Sequence, residues 1–160
     1  MQDMLVKLYD LPALEPVLEK MHADGIMVRR VMPYERLVLG AWTREHFGIG
    51  WSGESESAFA RMPISCFIAV EDGAIIGFGC YDCTTIGFFG PMGVAEEARG
   101  RGVGSALLLA CLHAMRAVGY GYGIIGGVGP AEFYAKTVGA VLIPDSTPGI
   151  FPEFLKAATE

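Results

Sequence analysis

Positive charge is scarce in this chain: 12 lysines and arginines stand against 18 acidic residues in 160, with three histidines and a net charge of −6. Gripping a phosphate backbone takes basic stripes that displace counterions. Nucleic acid is therefore not an expected partner. No apolar run reaches the ~18 residues that a membrane span takes, and the first residues lack the charged and apolar segments of a secretory signal. No membrane partner is expected, and a reducing cytoplasm is the expected compartment. Cysteine is sparse, at Cys66, Cys80, Cys83 and Cys111. Cys80 and Cys83 form a C-x-x-C with no second pair and no nearby histidine. That reads as buried thiols at a strand end in preference to a zinc or redox centre, and no metal is expected. Internal repeats and low-complexity segments are missing, which leaves one globular unit of ordinary size.

What the chain has in quantity is glycine, 22 residues, within a composition that is 52% hydrophobic and 19% charged. Residues 1–25 read as an N-terminal helical extension. Pro12 can open a helix running to His22, closed by Ala23-Asp24-Gly25. The main domain then covers 26–160. It starts with a strand over Ile26–Met32. A helix from Pro33 follows, with Tyr34, Leu37, Val38, Ala41 and Trp42 on one face. "GIGWSGESES" reads as a polar loop before a short helix over Ser55–Arg61. Strands over Ser65–Glu71 and Ala74–Asp82 flank Asp72-Gly73, a residue pair suited to a type I′ turn. A third strand runs from Thr84 into Val94, with Gly87, Gly90 and Pro91 marking a splay or bulge. A helix over Val103–Val118 is expected to bury Val103, Leu107, Ala110, Cys111, Ala114 and Val118. It leaves Leu109 and Leu112 on the opposite face, in need of a cover from the N-terminal helix or from a second subunit. The protein is thus expected as a monomer or homodimer. A strand over Tyr122–Val128, a helix over Pro130–Val138 and a strand over Ala140–Ile143 complete an α+β fold. Its sheet is mixed and mostly antiparallel, flanked by helices.

The run "GVAEEARGRGVGSALL", Gly93–Leu108, carries the chemistry. Glycine weakens a helix by about 1 kcal/mol relative to alanine, yet Gly100, Gly102 and Gly104 alternate where a helix begins. A helix N-terminus offers unpaired N–H groups and partial positive charge. Without Cβ atoms in the way, those amides can close around phosphate oxygens. Arg99 and Arg101 add charge there. The segment reads as a pyrophosphate cradle. It is not a P-loop, because no lysine follows the glycines. It is not a dinucleotide G-x-G-x-x-G either, since Leu107 stands three after Gly104.

"MGVAEEARGRGVGSALL" resembles the acetyl-CoA-binding motif of the Gcn5-related N-acetyltransferases (GNAT). In that motif [RQ]-x-x-G-x-[GA] opens a helix after a strand, and Arg99, Gly102 and Gly104 fill the pattern. The resemblance implies a sheet with splayed central strands. It implies that Met92, Gly93 and Val94 pair with the pantetheine arm, and that Arg99, Gly100, Arg101, Gly102, Val103, Gly104 and Ser105 hold the pyrophosphate. Phe133 and Tyr134 would complete the cofactor site. Two positions depart from the family pattern. Gly127 stands where asparagine is frequent, and Tyr134 precedes Gly139 by five residues in place of four.

The activity implied is acetyl transfer from acetyl-CoA to a primary amine, small-molecule or peptide, by direct attack in a ternary complex. Tyr134 resembles the general acid that protonates the departing thiolate, since a phenol with pKa about 10 can serve a thiol of ~8.5. Asp82 and Glu56 are candidate bases, with a water chain as the alternative. Trp42, Trp51, Glu54 and Glu56 are candidate acceptor-binding residues; Phe47 and Phe59 are further apolar walls. A non-catalytic acyl-CoA-binding or regulatory domain of the same fold is the alternative reading.

Overall fold

Seven strands form one open sheet in the computed structural model, which describes residues 1–151 and 153–156. The expected end of the main domain, residue 160, lies outside the described residues. In chain order the elements are β1 (Met4–Lys7), α1 (Glu15–Ala23), β2 (Ile26–Arg30), α2 (Arg36–Phe47), α3 (Ile49–Ser57), β3 (Cys66–Glu71) and β4 (Ala74–Tyr81). They continue with β5 (Phe88–Val94), α4 (Val103–Val118), β6 (Tyr122–Ile125), α5 (Ala131–Val138) and β7 (Val141–Leu142). The strand order is β2-β3-β4-β5-β6-β1-β7. Every pairing is antiparallel except β5 with β6.

The β3–β4 hairpin forms as its turn residues dictate. Asp72 and Gly73 both hold positive φ, 49° and 78°, the combination a type I′ turn demands. The connection from β4 to β5 is a different device. Asp82, itself at φ 55°, accepts a 2.7 Å bond from the Gly87 amide, and both its carboxylate oxygens accept the Tyr120 hydroxyl at 3.1 Å. This closed turn delays the strand expected from Thr84, which begins at Phe88.

Residues 1–25 are not a helical appendage. β1 lies between β6 and β7 and pairs with both. The helix begins at Glu15, with Pro16 in its first turn, and not at Pro12. Met4, Val6 and Leu8 pack in one cluster with Leu109 and Leu112 of α4, flanked by Leu11 and Leu14. The two leucines expected on an open face are thus 2% and 0% exposed, covered by the chain's own N-terminal segment. α4 is buried on almost all sides, between the sheet and this segment, whereas Val118, expected inside, is 60% exposed.

α2 and α3 also differ from expectation. Tyr34, Leu37 and Val38 are exposed, and Leu39, Gly40 and Thr43 face inward. The loop expected at "GIGWSGESES" is α3. Its serines disappear into the seam between the two helices: Ser52 Oγ donates to the Gly40 carbonyl at 2.9 Å and Ser55 Oγ to the Ser52 carbonyl at 2.8 Å. Small, self-satisfied hydroxyls let the helices approach closely, so this face is built from polar residues and carries no hydrophobic periodicity.

Leu8→Ala is expected to destabilise the protein by about 2–5 kcal/mol, the usual cost of emptying a core leucine site. Urea unfolding reads this; an unshifted midpoint would show that the N-terminal segment does not hold α4. Asp82→Ala is expected to cost about 1–3 kcal/mol, because the Gly87 amide and Tyr120 hydroxyl lose their acceptor. The same measurement checks it, with Tyr120→Phe as the milder companion.

Candidate active site

The sheet opens where β5 leaves β6. The two strands pair at Phe88 with Ile124 and Phe89 with Ile125, and the ladder ends there. Gly90 and Pro91 follow on one side, and proline offers no N–H to continue the pairing. On the other side come Gly126 and Gly127. A Cβ at Gly126 would stand 2.9 Å from the Phe88 ring, so only glycine lets that ring sit there. Gly127, at φ 54°, donates its amide to Asp3 Oδ1 at 2.8 Å. The Val128 amide donates to the Gln2 carbonyl at 3.0 Å. The N-terminal residues therefore fix one bank of the gap, a role with no signal in the sequence pattern.

The gap is a cavity of about 530 Å³ lined by Phe89–Val94 on β5, by residues 125–130, and by Phe47, Trp51, Arg99, Phe133 and Tyr134. Phe47 reaches it over Gly93, where any Cβ would lie 2.4 Å from the ring, and packs on Trp51 with centroids 5.1 Å apart. Tyr134 is 9% exposed, edge-on to Phe133 and Phe89 at 5.0 and 6.3 Å. Burial pushes its phenol above the ordinary tyrosine value, so the hydroxyl keeps its proton at neutral pH. Five residues beyond Tyr134, α5 ends at Gly139, which takes a left-handed cap at φ 66° and bonds back to the Ala135 carbonyl.

At one end the gap leads to the start of α4. A cavity of about 350 Å³ is lined there by Val94, Ala98, Arg99, Gly100, Gly102, Val103, Gly104, Ser105 and Phe133. Gly100 and Gly102 have φ of 75° and 85°. No side chain caps the helix, and its first-turn amides have no intrahelical acceptors. A Cβ at Gly104 would come to 3.7 Å from both Phe133 and Val94, filling the space that the glycine leaves. These residues fit a pyrophosphate joined to an arm lying between the splayed strands: free amides at a helix start can bind an anion, Arg99 lines both cavities, and the gap between the strands is mostly apolar.

Arg101 does not join this group. It forms a two-pronged ion pair with Glu71, at 2.6 and 2.9 Å, which holds the Glu71 carboxyl below its usual range. A cation that sequence reasoning missed beside the cradle is Lys20 on α1, paired with Asp24 at 3.5 Å, whose Nζ would lie 3.7 Å from a Cβ at Gly102. Helical periodicity marks Met21 as apolar but is silent on what α1 packs beside.

At the other end the gap opens into a cavity of about 660 Å³ that shares Trp51, Phe89, Gly90 and Pro91 with it and adds Glu54, Thr84 and Phe151. Of the expected acceptor residues, Trp51 and Glu54 line it. Trp42 and Glu56 do not. Trp42 is core, stacked on His46 at 4.4 Å and packed on Phe78. Glu56, on α3, turns toward α2, its carboxylate 3.2 Å from Arg36. Phe59 belongs to the same core as Trp42. Asp82 is also outside, committed to its turn. Neither expected base therefore stands in the cleft.

The C-x-x-C holds free thiols. Cys80 is buried and its thiol is pushed well up by desolvation, while hydrogen bonds from Cys80 and Ser65 bring Cys83 down to about 7. Among the described residues no group of three or more metal-binding side chains is assembled, and no helix is long and apolar enough to cross a membrane.

Comparison with solved structures identifies the same architecture. The glucosamine N-acetyltransferase region of a fungal multi-domain β-N-acetylglucosaminidase matches 89% of this chain, and 19% of its own, at 17% identity and a TM-score of 0.71. A GCN5-related N-acetyltransferase from Sphaerobacter thermophilus matches 89% of this chain and 48% of its own, at 23% identity and a TM-score of 0.61. Another, from Kribbella flavida, matches 88% of this chain and 53% of its own, at 16% identity and a TM-score of 0.59. The chain thus spans from about a fifth to about half of these proteins. No curated protein sequence matches it significantly. The sequence model for the acetyltransferase (GNAT) family matches residues 33–139, which takes in α2, α3, both banks of the gap, the α4 cradle and Tyr134. With the splayed sheet and the glycine cradle in place, this match shows that the chain belongs to the GNAT acetyltransferase family.

Proposed function

We propose that the protein is an acetyl-CoA-dependent N-acetyltransferase that acts on a primary amine in a ternary complex. The observation that carries this reading is continuity. One cleft runs from the cradle at α4, past Tyr134 between the splayed strands, to the cavity at Glu54. The bound donor supplies an activated acyl thioester. The chain's own residues do the rest. The Gly102–Ser105 amides and Arg99 hold the pyrophosphate, and β5 from Met92 to Val94 lines the arm. Tyr134 presents a proton beside the gap. The acceptor's nitrogen bonds to the acyl carbon as the carbon–sulfur bond breaks. An amine bound as its ammonium first gives one proton to water; the neutral nitrogen then attacks and sheds a second to water, and the departing sulfur takes one from Tyr134, which recovers it from solvent. Water is the acceptor of choice, since Asp82 and Glu56 are engaged elsewhere.

The placement of those two acids also keeps a second reading in view, a domain that binds acyl-CoA without turnover. Thiol release from acetyl-CoA across a panel of amines decides between them. Steady amine-dependent release supports the enzyme; binding with no release supports the module.

Gly102→Val forces a side chain into a left-handed position at the cradle and is expected to weaken acetyl-CoA binding tenfold or more, about 1.4 kcal/mol. Calorimetric titration of the folded variant checks this, and unchanged affinity would remove the cradle. Tyr134→Phe is expected to lower kcat by about 10²-fold with little change in cofactor affinity. Because burial raises the Tyr134 phenol, loss of its proton should depress kcat only above pH ~10, the value of a free tyrosine. That alkaline decline should vanish in Tyr134→Phe.

A further inference from the structure

The cavity beyond the gap is large, and the side chains that wall it are mostly apolar. Trp51, Phe88, Phe89 and Pro91 form its inner walls, and Phe151 and Phe154, stacked at 5.5 Å, line it further out, Phe154 being 80% exposed. Among the described residues, Glu54 is the one ionisable side chain that lines it. Thr84 donates its hydroxyl to Glu54 Oε1 at 2.6 Å, which engages one carboxylate oxygen and leaves Oε2 for a cation. Thr147, the other hydroxyl, donates to the Met1 carbonyl at 3.0 Å.

This inventory decides between kinds of amine. A polyhydroxylated amine would bury hydroxyls against aromatic rings with too few partners, and each unsatisfied group costs about 1–3 kcal/mol. A polyamine would bring further cations with a single anion to meet them. An anionic acceptor would be repelled by the Glu54 carboxylate. A monoamine with a ring fits this inventory best: its ammonium meets Glu54, and its body meets the aromatic walls by burial and by edge or face contact. Resting on the acetyltransferase reading above, we infer that the acceptor is a small primary amine with one cationic nitrogen on an apolar, ring-bearing body, its ammonium anchored by Glu54 and its ring by Trp51.

The test compares phenethylamine, glucosamine and spermidine as acceptors in thiol release from acetyl-CoA. Phenethylamine is expected to exceed both others in kcat/KM by about 100-fold, the discrimination that unpaired polar groups impose. Glu54→Gln, with a wild-type unfolding midpoint, should raise the phenethylamine KM about tenfold or more while acetyl-CoA affinity holds. Equal or better use of glucosamine or spermidine, or an unchanged KM in Glu54→Gln, overturns the inference. Failure of the acetyltransferase reading looks different: acetyl-CoA binds and no amine releases thiol. The cavity is then read by calorimetric titration of phenethylamine into protein loaded with coenzyme A. Saturable binding that Glu54→Gln abolishes upholds the assignment of the cavity, and absence of binding to the wild type sinks it.

Discussion

The ladder between β5 and β6 lasts for two residue pairs and stops at Phe89 and Ile125, and every part of the cleft depends on its stopping there. Backbone groups beyond that point have no strand to bond, which would be a liability in a closed core. Here they border a gap wide enough for an extended molecule. Pro91 removes one donor outright. Gly127 hands its amide to Asp3. The remaining groups on β5 face an apolar slot, where an arm that carries its own amides can replace the missing strand.

Holding the two banks apart is the task of residues distant in sequence. Phe47 and Trp51, from the α2–α3 pair, press on β5 across Gly93. Asp3 and Gln2, from the first residues of the chain, pin 127–128. α4 lies under the whole arrangement, buried along most of its length, with the cradle at its N-terminus and its body fixed by the sheet and the β1 segment. The cradle is therefore mounted on the most deeply buried helix of the molecule, which is what a site that must present amides in one orientation requires.

The parts of this arrangement written in local chemistry were legible in the sequence. The type I′ turn at Asp72-Gly73, the glycine run before α4, and the break at Gly90-Pro91 each follow from backbone preferences of a few adjacent residues. The parts set by tertiary contact were not. The α2–α3 seam is made of Gly40, Thr43, Ser52 and Ser55, so its inward face carries no apolar stripe, and the stripe at Tyr34, Leu37 and Val38 faces solvent. Four residues of β1 are too few to show a period, so a strand paired on both sides passed for the approach to a helix. Arg101 and Asp82 have the right chemistry for the cleft; only their partners, Glu71 and the Gly87–Tyr120 pair, reveal that each is already committed.

The position of β1 bears on how the molecule comes into being. The first strand of the chain pairs with β6 and β7, whose residues lie more than a hundred positions later. A nascent chain emerging from the ribosome holds Met4, Val6 and Leu8 exposed until residues 122–142 have followed, and α4 emerges with its outer leucines bare. Contacts of such sequence separation form slowly, because loop closure must precede any gain from them. The interval before β1 inserts is when unfinished molecules are most prone to stick to one another. Chaperone demand during synthesis should accordingly rest less on the long central helix than on how soon four residues at the start of the chain find their place in the sheet.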